Sequence, residues 1–215
     1  MARHTRRAST GRKSEAVVRQ KIIVEAARLM AEEGVRDYQS AKRKAAHRLS
    51  LPEDKNWPAN SEIEAALKQH LALFHHEWPQ TVRALRENAL EAMTLLHDFA
   101  PKLVGEVLSG TATRFSEVQL HLTATPEEMS LFLAGHDIPF DIEDRRLRYN
   151  GDRVAQVPVF RFVAGDTPFA LYVLSPEAIR ELPLSPIDGH PMRRAGAREV
   201  AALVDTPPSD PRAPG

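Results

Sequence analysis

The segment Lys102–Leu122, KLVGEVLSGTATRFSEVQLHL, decides how the rest of the chain is read. Two short apolar runs, Leu103 to Leu108 and Val118 to Leu122, flank a small-residue turn, Ser109-Gly110-Thr111-Ala112-Thr113, followed by Arg114. That order predicts strand, glycine-containing turn, strand. Side chains alternate along a pleated backbone, so Val118, Leu120 and Leu122 fall on one face of the second strand and Glu117, Gln119 and His121 on the other. The apolar face packs, and the polar face can hold a ligand.

Downstream, Thr125-Pro126-Glu127-Glu128 marks a helix start, with Thr125 as N-cap, proline at the first helical position and acids in the first turn; the helix runs to about Gly135. Arg145 to Tyr149 followed by Asn150-Gly151 predicts a strand and hairpin turn. Val154–Val163 and Phe169–Leu174 read as further strands, and helices near Pro176–Arg180 and Ala195–Val204 complete the segment.

Upstream, Pro101 closes a helical half. A helix beginning at Ser14 stops at Gly34, and a basic helix covers Asp37 to Leu49 behind a cap at Ser40 or Asp37. Ser61-Glu62-Ile63-Glu64 reads as a capping box. From Ile63 to Leu96 apolar residues recur every three or four positions, 33 residues in nine steps. The stripe crosses Pro79 in phase, which predicts two nearly collinear helices or one helix kinked there. The expected organisation is a disordered basic tail over 1–13, a helical region over 14–100, an α+β domain over 101–204 and a disordered proline-rich tail over 205–215.

Composition narrows the function classes. The 215 residues contain no cysteine, which removes disulfides, thiolate metal sites and thiol nucleophiles. No apolar run approaches the roughly 18 residues needed to cross a bilayer, so no membrane partner is expected and the expected location is the cytoplasm. The zero net charge hides an asymmetry: residues 1–50 hold 13 Lys or Arg against 5 Asp or Glu. Lys42, Arg43, Lys44 and Arg48 are the candidates for contact with nucleic acid or an acidic protein partner, since basic side chains release counterions from phosphate backbones. Lys42, Arg43 and Lys44 are consecutive and so do not form one helical stripe. Among His70, His75, His76 and His97 no pair is four apart, which argues against zinc and for packing or surface roles.

The central segment, over roughly Pro101 to Leu174, resembles the nucleotidyltransferase superfamily of the DNA polymerase beta type, especially its small bacterial members. There an apolar strand ends in Gly-Ser, a basic loop follows, and the next strand carries Ser-Asp-hydrophobic-Asp. On that resemblance Gly110-Thr111 takes the Gly-Ser position, Arg114 the loop base, and Ser116-Glu117-Val118-Gln119-Leu120 the acidic strand, after a loop several residues short. The implied fold is α+β: an N-terminal helical region followed by a small mixed sheet flanked by helices. The implied ligand is a nucleoside triphosphate, held by Ser109, Gly110 and Thr111 amides and by Arg114. Glu117 and Gln119 take the places of the paired catalytic acids. Magnesium is the implied metal, with Glu117 its one surviving ligand, because Gln119 is neutral and the third acid falls at Ala170. One carboxylate of three is not a two-metal site, so the resemblance implies a nucleotidyltransferase-like protein with impaired or absent catalysis. The alternative is a non-catalytic regulatory protein acting through the basic N-terminal helices. The long apolar stripe leaves open packing within the chain or on a second copy.

Overall fold

Proline and glycine punctuation cuts the chain into elements whose apolar faces then choose their neighbours. The computed structural model describes residues 4–51, 57–206 and 208; the first three residues, the centre of the loop before Asn60 and most of the proline-rich tail lie outside them. Two units emerge, divided between His76 and Glu77. The expected helical region of 14–100 is therefore shared between them.

The first unit contains α1 (His4–Glu33), α2 (Tyr38–Arg48) and α3 (Asn60–Phe74). Helix α1 reaches back to His4, ten residues beyond the expected start at Ser14; Arg, Lys and Ala there favour helix, and Gly11 alone weakens it. Its buried face, Ile22, Ile23, Ala26, Ala27, Leu29 and Met30, lies on a helix that packs against both α2 and α3. Asp37 caps α2 by accepting from the Ser40 N–H at 2.7 Å. The expected box at Ser61 is displaced by two residues. Ala59 is the N-cap, and the Glu62 carboxylate accepts from its N–H at 2.7 Å while also pairing with Arg19 at 2.5 Å. Ala59 is extended, at φ −65° and ψ 152°, so Asn60 and Ser61 are already inside the helix.

The second unit begins with α4 (Trp78–Leu95), whose Pro79 sits in the first turn. The helical stripe is thus broken at His75–Glu77, ahead of the proline, which is tolerated where no intrahelical N–H is needed. Then come β1 (Lys102–Val104), α5 (Gly105–Ser109), β2 (Val118–Thr123), α6 (Pro126–Gly135), β3 (Asp141–Arg148), β4 (Val154–Ala164), β5 (Thr167–Leu174) and α7 (Ala197–Val204). The sheet order is β1-β2-β5-β4-β3, with β2 and β5 parallel and the other neighbours antiparallel. This is the expected mixed sheet flanked by helices. Val118, Leu120, Leu122, Leu171 and Phe160 are all buried, so the two central strands and β4 form the core.

The start of α6 was read correctly at residue level. Thr125 and Glu128 form a reciprocal capping box at the start of α6, at 3.2 and 2.7 Å. The strand expected across Leu103–Leu108 is not one strand, however. β1 ends after Val104 because Gly105 turns to φ +72°, outside any strand geometry, and α5 follows.

Arg86 of α4, only 4% exposed, binds the second unit together from within. Its guanidinium donates to the carbonyls of Val107 at 3.2 Å, Leu203 at 2.7 Å and Thr206 at 3.1 Å. One buried cation thus ties α4, α5 and the end of α7.

Candidate functional site

The site is built on β2 and on what lies beside it. Gly105, directly after β1, approaches so closely that a Cβ there would lie 2.6 Å from Gln119 Oε1. The pair that ends the apolar strand is therefore Gly105-Glu106, and not Gly110-Thr111. Ten residues separate Glu106 from Glu117, so the expected shortened loop disappears with this change of register. The sequence contained the signal, an apolar Leu103-Val104 before Gly105, but α5 is so apolar that it read as more strand.

The small-residue turn has another role. The N–H groups of Gly110 and Thr111 both donate to Glu106 O, at 2.9 and 3.0 Å, and Gly110 at φ +79° caps α5 in the left-handed conformation. The hydroxyls of Ser109 and Thr111 bond one another at 2.9 Å. Amides expected to cradle phosphate are thus engaged in closing a helix. Arg114 is exposed, its guanidinium 4.7 Å above the Phe115 ring. Ser116 accepts from the Thr113 N–H at 2.9 Å and donates to the Glu106 carboxylate.

Glu117 is 6% exposed, and its two oxygens face the guanidinium of Arg161 on β4. Gln119 Nε2 adds a third donor at 3.1 Å from Glu117 Oε1. Arg161 also donates through Nε to Glu143 at 2.6 Å, and Glu143 accepts from Arg145 at 2.6 Å. Burial works against the Arg161 cation, but its hydrogen bonds to Glu117 and Glu143 outweigh that and hold its pKa above the ordinary arginine value. Tyr172 on β5 is pushed up as well, first by burial and then by the Glu117 charge.

Strand register decides what else can join this cluster. Gln119 pairs with Ala170, Ala170 with Arg161 and Arg161 with Asp141. A methyl group therefore lies between the amide and the guanidinium, where a third acid would be needed. A divalent cation of the magnesium type takes several oxygen ligands with at least one or two carboxylates. Here Glu117 is held by a guanidinium and an amide and Glu143 by two guanidinium groups, and the donor set does not fit the ion. No group of three or more His, Asp or Glu among the described residues is arranged to hold a metal.

Two residues farther along the same face lies His121, 1% exposed. The polar face of β2 is therefore largely covered, with Gln119 and Thr123 half-buried. His121 sits in register with Lys102 and Tyr172, the Tyr172 ring centroid 5.4 Å away. Its Nδ1 accepts from Arg194 Nε at 3.1 Å, which assigns the neutral tautomer protonated at Nε2. Burial first, and the Arg194 charge second, lower its pKa to about 3. Arg194 precedes Ala195, which bridges to Leu103 at the edge of β1. Neither Arg161, alone between Phe160 and Phe162 in an apolar run, nor Arg194, beside Arg193, was singled out in the sequence.

The four basic residues of α2 are not brought together as one surface. Lys42 is buried at 4%, Arg43 touches Ser40 Oγ at 3.4 Å, Lys44 is exposed, and Arg48 pairs with Glu33 at 2.5 Å and Glu25 at 3.5 Å.

No family model matches this chain, and no curated protein matches it. Among solved structures, one described as the structure of the GLD-2/RNP-8 complex superposes with a TM-score of 0.29 at 23% identity, over 49% of this chain and 44% of that one. The chain thus spans less than half the length of the structure it matches, at a similarity too low to bear on its chemistry.

Proposed function

We propose that the second unit is a nucleotidyltransferase-like domain that binds a ligand without catalysing metal-dependent transfer. The observation that carries this reading is the Glu117–Arg161 pair, flanked in register by Gln119 and Ala170. An apolar strand ending in a positive-φ glycine, a connecting segment, and a second strand opening on Ser-Glu-x-Gln is the arrangement in which that superfamily displays its acids. At this site two of three acids are an amide and a methyl group. The third cannot act as general base or metal ligand while a guanidinium holds both its oxygens.

The ligand class we assign is a nucleoside triphosphate, bound independently of magnesium and near Gln119 and Arg114. Calorimetric titration of the full chain with ATP, CTP, GTP and UTP, with and without magnesium, tests it. The expected result is saturable binding that magnesium does not strengthen, weakened in Arg114→Ala, with no release of pyrophosphate. Magnesium-dependent turnover that vanishes in Glu117→Gln would overturn the non-catalytic reading. Absence of binding by all four nucleotides would remove the ligand class.

A further inference from the structure

Among the described residues of the second unit, three buried polar atoms have no hydrogen-bond partner: Trp78 Nε1, Tyr149 Oη and Arg194 Nη2. The last two lie on segments joined through one hairpin. Tyr149 is 1% exposed and stands just past the end of β3. It is held there by its own N–H, which donates to Arg153 O at 2.8 Å, and by the Arg153 guanidinium 4.4 Å over its ring. Arg194 is fixed by two other bonds, Nε to His121 Nδ1 and Nη1 to Ile179 O at 2.8 Å.

The chain links these two residues through one hairpin. Leu184 donates to Arg148 O at 2.6 Å, next to Tyr149, and bridges to Pro191. Met192 donates to Pro183 O at 2.7 Å, two residues before Arg194. Tyr149 and Arg194 therefore flank the same small pair of extended segments.

The chemistry of Arg194 is unusual for a half-buried arginine. Its two bonded acceptors are a neutral imidazole and a carbonyl, and no carboxylate pairs with it among the described residues. A guanidinium removed from water is normally paired with an anion, since an uncompensated charge and an unmade buried hydrogen bond are both costly. Beside it waits a phenol hydroxyl, a second donor also without an acceptor. Two unbonded donors flanking one hairpin, one of them cationic, match one acceptor-only group.

We propose that Arg194 Nη2 and Tyr149 Oη form a binding site for an oxyanion, the phosphate or carboxylate group of a small molecule. The site is distinct from the Glu117 cluster and uses none of the residues assigned to nucleotide binding, so either assignment can fail alone. The neutral His121 positions the guanidinium by accepting from it, and Ile179 O holds its other arm.

The test is calorimetric titration and thermal unfolding of the full chain with inorganic phosphate, pyrophosphate and acetate as separate probes, at constant ionic strength. Saturable binding by phosphate and pyrophosphate assigns a phosphoryl ligand, and preferential binding by acetate a carboxylate. Tyr149→Phe removes one oxygen and no packing; it should weaken binding by roughly tenfold to a hundredfold. Without ligand, the same variant should be at least as stable as the parent, because it deletes a buried hydroxyl that makes no bond. Arg194→Lys keeps the charge but loses the fork and should bind at least tenfold more weakly. Absence of saturable binding by all three probes would overturn the proposal. Binding unchanged in Tyr149→Phe would overturn it equally, by placing the anion elsewhere.

Discussion

Arg161 and Arg194 stand at two ends of the same polar face of β2 and show opposite arrangements. Arg161 meets two carboxylates, Glu117 and Glu143, and locks both into a structural ion network. Among the described residues Arg194 meets none, but bonds His121 and a carbonyl, with one nitrogen left over. An arginine saturated by acids holds a sheet together. An arginine supported by neutral acceptors also ties segments together, as Arg86 does through three carbonyls, and is poised for an anion when a buried nitrogen is left over, as in Arg194. The comparison shows why counting acidic and basic residues along β2 does not locate a ligand: the pairing across strands decides which charges remain available.

The sharpest way to break this contrast is to remove each cation in turn. Arg161→Met leaves Glu117, 6% exposed, as a buried carboxylate without its counter-ion, and should destabilise the second unit by about 3–5 kcal/mol in urea unfolding. Glu117→Gln in the same background should recover much of that loss, since it removes the stranded charge. Failure of the second change to compensate would mean that the pair contributes through packing alone.

The histidine end should respond to pH. His121 titrates near 6.5 when unfolded and near 3 when folded, so the unfolded chain takes up the proton first. The stability carried by the neutral ring is complete above pH 6.5, falls by up to about 1.4 kcal/mol per unit below it, and is exhausted near pH 3. Carboxylates held low by arginines, such as Glu143, lose their contribution over a lower part of the same range. His121→Gln should therefore flatten the profile chiefly between pH 6.5 and 4.5, and an unchanged profile would exclude a buried neutral ring.

A smaller effect is expected at the turn that ends β1. Gly105→Ala must hold a Cβ at φ +72° and displace the Gln119 side chain, at a cost of about 1–2 kcal/mol. Because Gln119 donates to Glu117, the variant should also loosen the Arg161 end while leaving Arg194 untouched. The smallest change is expected in ligand-free Arg194→Met. It loses two hydrogen bonds but removes an unpaired cation, and about 1 kcal/mol is expected. Losses of equal size in Arg161→Met and Arg194→Met would erase the distinction between the two arginines.

Much of the architecture was legible because its causes are local. Asp37 and Thr125 announce helix starts within three residues of the amides they cap, and the Asn150-Gly151 turn marks the hairpin between β3 and β4. The alternation of β2 was visible for the same reason, since a two-residue period is written directly into the chain. Where two local signals competed, the reading slipped. The glycine at 110 looked like a strand turn and is a helix cap, while Gly105, which ends the strand, was hidden inside an apolar run. The functional face was legible only in part. Glu117, Gln119 and Ala170 could be placed by pattern, but Arg161 lies 44 residues from Glu117, and Arg194 lies 73 from His121.

What the sequence alone determined was the α+β class and the order of elements from α6 onward. These follow from periodicity, capping and residue identity, all properties of neighbours along the chain. Tertiary structure alone decided that α4 belongs with the sheet, that the basic residues of α2 do not gather, and that Arg161 closes the acid while Arg194 stays unpaired. Electrostatic pairing depends on distance in space, and strand register sets that distance after the chain has folded.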